Sequence, residues 1–102
     1  MNKEMNELNS LIIDWAQDRG IFDKATKGSQ YEKTLEEVGE LGRYLIEPDT
    51  EKLKDAIGDI IVTLILQAEM NGTSIKECLN LAYEEISGRT GKMINGVFVK
   101  DK

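Results

Sequence analysis

The sequence contains no histidine. That absence removes serine–histidine and cysteine–histidine nucleophilic catalysis and every histidine-ligated zinc site, so carboxylates, hydroxyls and amines must carry any chemistry. Cysteine occurs once, as Cys78, which excludes an internal disulfide; its place among apolar residues in a helical pattern predicts a buried free thiol in a reducing compartment. Proline also occurs once, at Pro48, so little stands in the way of helix. No apolar run can span a bilayer, the longest being Ile60 to Leu66 with Thr63 inside it, and Met1-Asn2-Lys3-Glu4 lacks a secretory signal pattern. A cytoplasmic chain with no membrane partner is expected. Positive charge is scarce as well: Lys and Arg number 13 against 19 Asp and Glu, a net −6. The electrostatic footprint of a nucleic-acid binder is absent, and no nucleic-acid partner is expected.

What is present is helix-forming. With 102 residues, 40% apolar and 31% charged, the chain fits one domain over residues 1–102, with a core modest enough that oligomerisation would add stability. Met5, Leu8, Leu11, Ile12, Trp15 and Ala16 recur at three- and four-residue spacing, predicting a helix from Glu4 to about Asp18, stopped by Gly20. Phe22 to Gly28 reads as a loop, and Ser29 with Glu32 forms a capping box for a second helix from about Gln30 to Ile46. After Pro48, Asp49 or Thr50 caps a third helix to about Met70, ended by Asn71-Gly72. Ser74 with Glu77 opens a fourth, carrying Ile75, Cys78, Leu79, Ala82 and Ile86 and ending near Ser87-Gly88. Met93-Ile94, Asn95-Gly96 and Val97-Phe98-Val99 read as a short hairpin or extended tail. The architecture is therefore an all-α bundle of about four helices.

The second helix carries Glu36, Glu37 and Glu40 within roughly one quadrant, opposite Tyr31, Leu35, Val38, Leu41 and Leu45. Alone, this describes an amphipathic helix with a solvated acidic face. The third helix is apolar on two sides: Leu53, Ile57, Ile60, Ile61, Leu64 and Ile65 form one face, Val62 and Leu66 another. Such a helix is buried. Asp55 and Asp59 share the side of Val62 and Leu66, so they should point into a packed interface, where carboxylates need a cationic partner. Lys52 or Lys54 would supply a structural one, and a position near the helix N-terminus would also favour Asp55. If instead the acidic sides of both helices converge, an all-oxygen site results, which selects Mg²⁺ or Mn²⁺.

Lys33-Thr34-Leu35-Glu36-Glu37-Val38-Gly39-Glu40-Leu41 resembles the first half of the signature of the MazG-like nucleotide pyrophosphohydrolases, E-E-x-x-E, which is followed by E-x-x-D on the next helix. Trp15-Ala16, Asp18-Arg19-Gly20-Ile21, Gln30, Lys33 and Arg89-Thr90-Gly91-Lys92 extend the resemblance over most of the chain. Asp59 matches the second half, but Ala56 stands where its Glu would be, and Asp55 is the proposed substitute. The resemblance implies hydrolysis of a nucleoside triphosphate between its α- and β-phosphates, giving a monophosphate and pyrophosphate, within a homodimer or homotetramer. It implies Mg²⁺ (Mn²⁺ as a possible substitute) held by Glu37, Glu40 and Asp59, with Glu36 and Asp55 as ligand, base or support; catalytic work falls to Glu36 and Glu37. Lys33, Arg89 and Lys92 are candidates for phosphate oxygens, although each reads equally as a solvated surface charge. Trp15 could stack on a base, although tryptophan on an apolar stripe is more often core. The competing reading is a non-catalytic acidic interaction protein, an adaptor or DNA mimic, whose carboxylates form a solvated face.

Overall fold

The computed structural model describes residues 2–46 and 49–102; Met1 and Pro48, which figure in the readings above, lie outside them. The first periodic segment forms α1, Met5–Asp18, and Gly20 turns the chain at a φ of 74°, a left-handed conformation that glycine adopts without steric cost. The segment expected to be loop holds a single helical turn, α2, Ile21–Lys24. The next helix, α3, Lys27–Ile46, starts earlier than the Ser29–Glu32 pair predicts. Thr26 and Ser29 cap it reciprocally, each backbone N–H donating to the other's hydroxyl at 2.9 Å. The capping box is thus one turn upstream, with Ser29 in the role expected of Glu32.

Helix α4, Thr50–Met70, opens on Asp49, whose carboxylate accepts from the Lys52 N–H. Helix α5, Ile75–Ser87, opens on Ser74, whose hydroxyl accepts from the Glu77 N–H at 3.2 Å. Strands β1, Gly91–Ile94, and β2, Val97–Lys100, form an antiparallel hairpin around Asn95 and Gly96, both at positive φ, as a two-residue type I′ turn requires. Among the described residues no helix is long and apolar enough to cross a membrane.

Helix α4 is the centre of the chain, with α3, α1 and α5 each packed on it. Its buried residues are Ala56, Thr63, Ile65, Leu66 and Ala68. One sequence-based expectation, for Cys78, changes here. The apolar stripe of α3 is exposed at Tyr31, Leu35, Val38 and Leu45, and the buried residue of α3 is Gln30. Helix α5 has no buried residue. Cys78, expected to be buried, is exposed, because the apolar side of α5 reaches beyond what one α4 surface covers.

Polar groups set the register of α3 against α4. The Gln30 side-chain amide donates to the Thr63 carbonyl at 3.2 Å, the Thr34 hydroxyl lies 2.9 Å from the Thr63 hydroxyl, and Thr63 in turn donates to the Ile60 carbonyl at 2.7 Å. One turn further, the Gln67 amide donates to the Lys27 carbonyl at 3.0 Å. The two helices therefore run antiparallel, and no buried side-chain N or O is left without a partner among the described residues.

Candidate metal and phosphate site

Gln30, Thr34 and Glu37 follow one another at four- and three-residue spacing, so they form one line along α3. On α4 the line opposite is Thr63, Asp59 and Ala56. Continuing the hydrogen-bonded ladder by one turn therefore brings Glu37 toward Asp59. Exposure separates the two adjacent glutamates: the Glu37 side chain is 14% exposed and that of Glu36 63%, so Glu37 turns inward and Glu36 outward. Glu40 is exposed and Asp59 half-buried.

Asp59 sits in an acidic field. Its carboxyl is held above the usual carboxylate range, first by partial burial and then by the negative charges of Asp55, Glu37 and Glu40, with Lys33 pulling the other way. The Lys33 ammonium lies 3.3 Å from Glu36 Oε1 and 3.4 Å from Glu37 Oε1. Those hydrogen bonds to Glu36 and Glu37 raise its own pKa above the ordinary lysine value. Among the described residues neither Asp55 nor Asp59 has an ion-pair partner, and Lys54 pairs with Glu51 at 3.4 Å instead.

The same acids do not form a finished cage: among the described residues no three metal-ligating side chains are gathered closely enough to hold an ion. Four like charges with only Lys33 to oppose them repel one another, which accounts for this spread. In donor chemistry they fit a hard cation, since every group is a carboxylate oxygen and the half-buried Asp59 has no ion-pair partner among the described residues.

Asp55 and Ala56 occupy different sides of α4. Ala56, at the position where the signature places a glutamate, faces the helix interface and is 3% exposed. Asp55 is exposed, a correction to the expectation that it points into packing; a step of about 100° carries it around the helix. It lies with Asp59 in the wall of a groove of about 1130 Å³ between α1, α4 and α5. Leu8, Ile12, Val62 and Leu79 supply apolar lining, and Asn9 and Asn80 polar groups.

The remaining candidates lie apart. Trp15 is not among the groove-lining residues; it is partly exposed with the Arg19 guanidinium 5.7 Å from its ring centroid. Arg89 pairs loosely with Glu85 at 3.9 Å, and Lys92 lies on the exposed hairpin. Among the described residues neither forms an ion pair with the five acids, and neither lines the groove. Reading the sequence overlooked Gln30 and Thr63 as the residues that align the site. The available signal was Thr63 itself, a hydroxyl interrupting an otherwise apolar run.

A family model described as the MazG nucleotide pyrophosphohydrolase domain matches residues 25–94, which takes in α3, α4, α5 and β1 with all five acids. The chain is also similar to the uncharacterized 18.2 kDa protein in the rep-hol intergenic region of Haemophilus phage HP1 (strain HP1c1), being 32% identical over 68 residues. That match covers 67% of this chain and 42% of the phage protein, so the chain spans less than half of that relative's length. No solved structure matches.

Proposed function

The chain belongs to the MazG nucleotide pyrophosphohydrolase family, and on that premise we propose that residues 1–102 form one domain that hydrolyses nucleoside or deoxynucleoside triphosphates to the monophosphate and pyrophosphate, with Mg²⁺ as cofactor and Mn²⁺ as a possible substitute. The observation that carries this reading is Asp59: a half-buried carboxylate with no cationic partner among the described residues, acted on by three further acids.

Glu37, Glu40 and Asp59 would hold the cation, with Asp55 completing the set from the groove side. Bound there, the ion would neutralise polyphosphate charge and acidify a water for in-line attack at the α-phosphorus. Lys33 holds Glu36 and Glu37 in place, and its ammonium is positioned to meet phosphate oxygens. Glu36, 63% exposed beside Lys33, would take the proton of the attacking water. The water oxygen bonds to the α-phosphorus, the bond to the bridging oxygen breaks, and pyrophosphate leaves with the electron pair. Arg89 and Lys92 would add phosphate contacts.

The reading includes an oligomer. Ile57, Ile61 and Leu64 on α4 are partly exposed, as are Tyr31, Leu35 and Leu45 on α3. Apolar surface on this scale marks an interface, and a homodimer or homotetramer would cover it. A nucleotide substrate would suit a cytoplasmic location.

The test is a panel of nucleoside and deoxynucleoside triphosphates incubated with Mg²⁺, with pyrophosphate and orthophosphate measured separately. Pyrophosphate alone should appear, and chelation with EDTA should abolish it. Release of orthophosphate as the first product, or full activity in EDTA, would overturn the reading.

A further inference from the structure

The C-terminal hairpin lacks a packed face. Its register pairs Met93 with Phe98 on one side and Ile94 with Val97 and Lys92 with Val99 on the other, so both faces are largely apolar. Every one of its strand residues is nonetheless exposed, Met93 at 63% and Val97 at 62%. An isolated two-stranded hairpin is marginal in water. The helices of its own chain do not cover it: its substantial packing is between its two strands. It leaves α5 after Ser87, about 10 Å along the axis from the Ser74–Asn80 segment that walls the groove.

Charge divides the chain at the same place. Residues 89–102 carry Arg89, Lys92, Lys100 and Lys102 against Asp101, a net +3, which with the chain's −6 leaves −9 on residues 1–88. In the groove wall Lys54 is held by Glu51, and Lys76 is the further cation among the lining residues, set against Asp55 and Asp59. The groove lining thus carries three acids against two lysines, and groove and hairpin are complementary twice over: apolar to apolar, and net acid to base.

We propose that the hairpin is an assembly arm: the hairpin of one copy seats in the α1–α4–α5 groove of a second copy, and reciprocally, with the Lys92 face of the hairpin against the Asp55–Asp59 wall. Exchange of this kind closes into a two-fold dimer. It gives Lys92 a route to the carboxylates that its own chain does not provide. The role of Lys92 rests on the function proposed above, whereas the association does not.

Sedimentation velocity of the full chain, without nucleotide, tests the arm. The variants are Val97→Glu on the hairpin and Leu79→Glu in the groove, both at exposed positions, with circular dichroism to verify unchanged helix content. Wild-type protein should associate, and each variant should weaken association by about 10-fold or more. Lys92→Glu should weaken it too, and adding Asp55→Lys should restore part of the loss. A monomeric wild type, or hairpin and groove variants that associate as tightly as wild type, overturns the arm even if pyrophosphate is released. Mixing inactive Lys92→Ala and Asp59→Asn chains then reads the shared site: about a quarter of wild-type activity should return, since half the dimers are mixed and each has one intact site. No recovery in mixed dimers overturns delivery of Lys92 in trans.

Discussion

The Thr34 hydroxyl meets the Thr63 hydroxyl across 2.9 Å, joining α3 to α4 one turn from Glu37 and Asp59. Thr63 donates its own hydroxyl hydrogen bond to the Ile60 carbonyl, while its backbone carbonyl accepts from Gln30. Three polar residues on a small apolar interface thereby fix which acids face one another. Sliding α3 by one residue would break this ladder and rotate Glu37 away from Asp59.

Replacing Thr63 with Val keeps the shape and the backbone acceptor but removes the hydroxyl. Thr34 retains the Gln30 carbonyl as an alternative acceptor at 3.1 Å, so the cost should be about 1 kcal/mol and not the full penalty of an orphaned group. Urea unfolding measures it. A loss above about 3 kcal/mol would mean that the ladder carries more of the interface than these bonds imply.

Asp59 gives the metal-free protein a pH dependence of definite sign. Its pKa is higher in the folded state than in the unfolded chain, so the folded state binds the additional proton. That contribution to stability is fully present below the usual carboxylate value of about 4 and is lost as pH rises through the folded value. Asp59→Asn lacks the ionisation. In EDTA its stability relative to the parent should therefore increase from pH 4 toward neutrality, as read by thermal unfolding across that range. A relative decrease would show that the carboxylate is stabilised in its charged form, as in an ion pair.

Ala56→Glu installs the glutamate that the family signature places there, at an inward position that is 3% exposed. Without metal, a further buried acid beside Asp59 should destabilise the protein by about 2 kcal/mol or more. Millimolar Mg²⁺ should recover most of that loss and raise cation affinity above the parent's. Calorimetric titration with Mg²⁺ beside thermal unfolding checks both, and destabilisation that Mg²⁺ leaves untouched would place position 56 outside the metal's reach.

Much of the fold was legible in the sequence. The caps at Asp49 and Ser74, the stop at Asn71-Gly72 and the Asn95-Gly96 turn are local chemistry, settled within four or five residues, and they appear where expected. The Thr26 cap was missed because Ser29 offered a competing local bond. Facing was harder to read. Periodicity shows that α3 has an apolar side, but not that α4 would take Gln30, Thr34 and Glu37 while Tyr31, Leu35 and Val38 stayed outside. In a chain whose apolar stripes exceed its own core, a stripe predicts burial against something, and that something need not be the same chain. The exposure of Cys78 follows from the same cause. Within the site, Asp59 was read from its place on a buried helix and lies half-buried, whereas Asp55, one residue off the inward line, is on the groove side.

The most direct test of the carboxylate site pairs two readouts on Asp59→Asn and Glu40→Gln: metal-free thermal unfolding, and pyrophosphate release with Mg²⁺. Each substitution keeps the shape of the side chain and removes its charge. The account predicts that activity falls by about 100-fold or more while metal-free stability stays level or rises, because like charge is being relieved. If the acids were instead structural, as in an acidic adaptor, losing one would strand its partner at a cost of about 3 kcal/mol. An Asp59→Asn protein that melts far below the parent yet releases pyrophosphate at the parent rate would contradict the account.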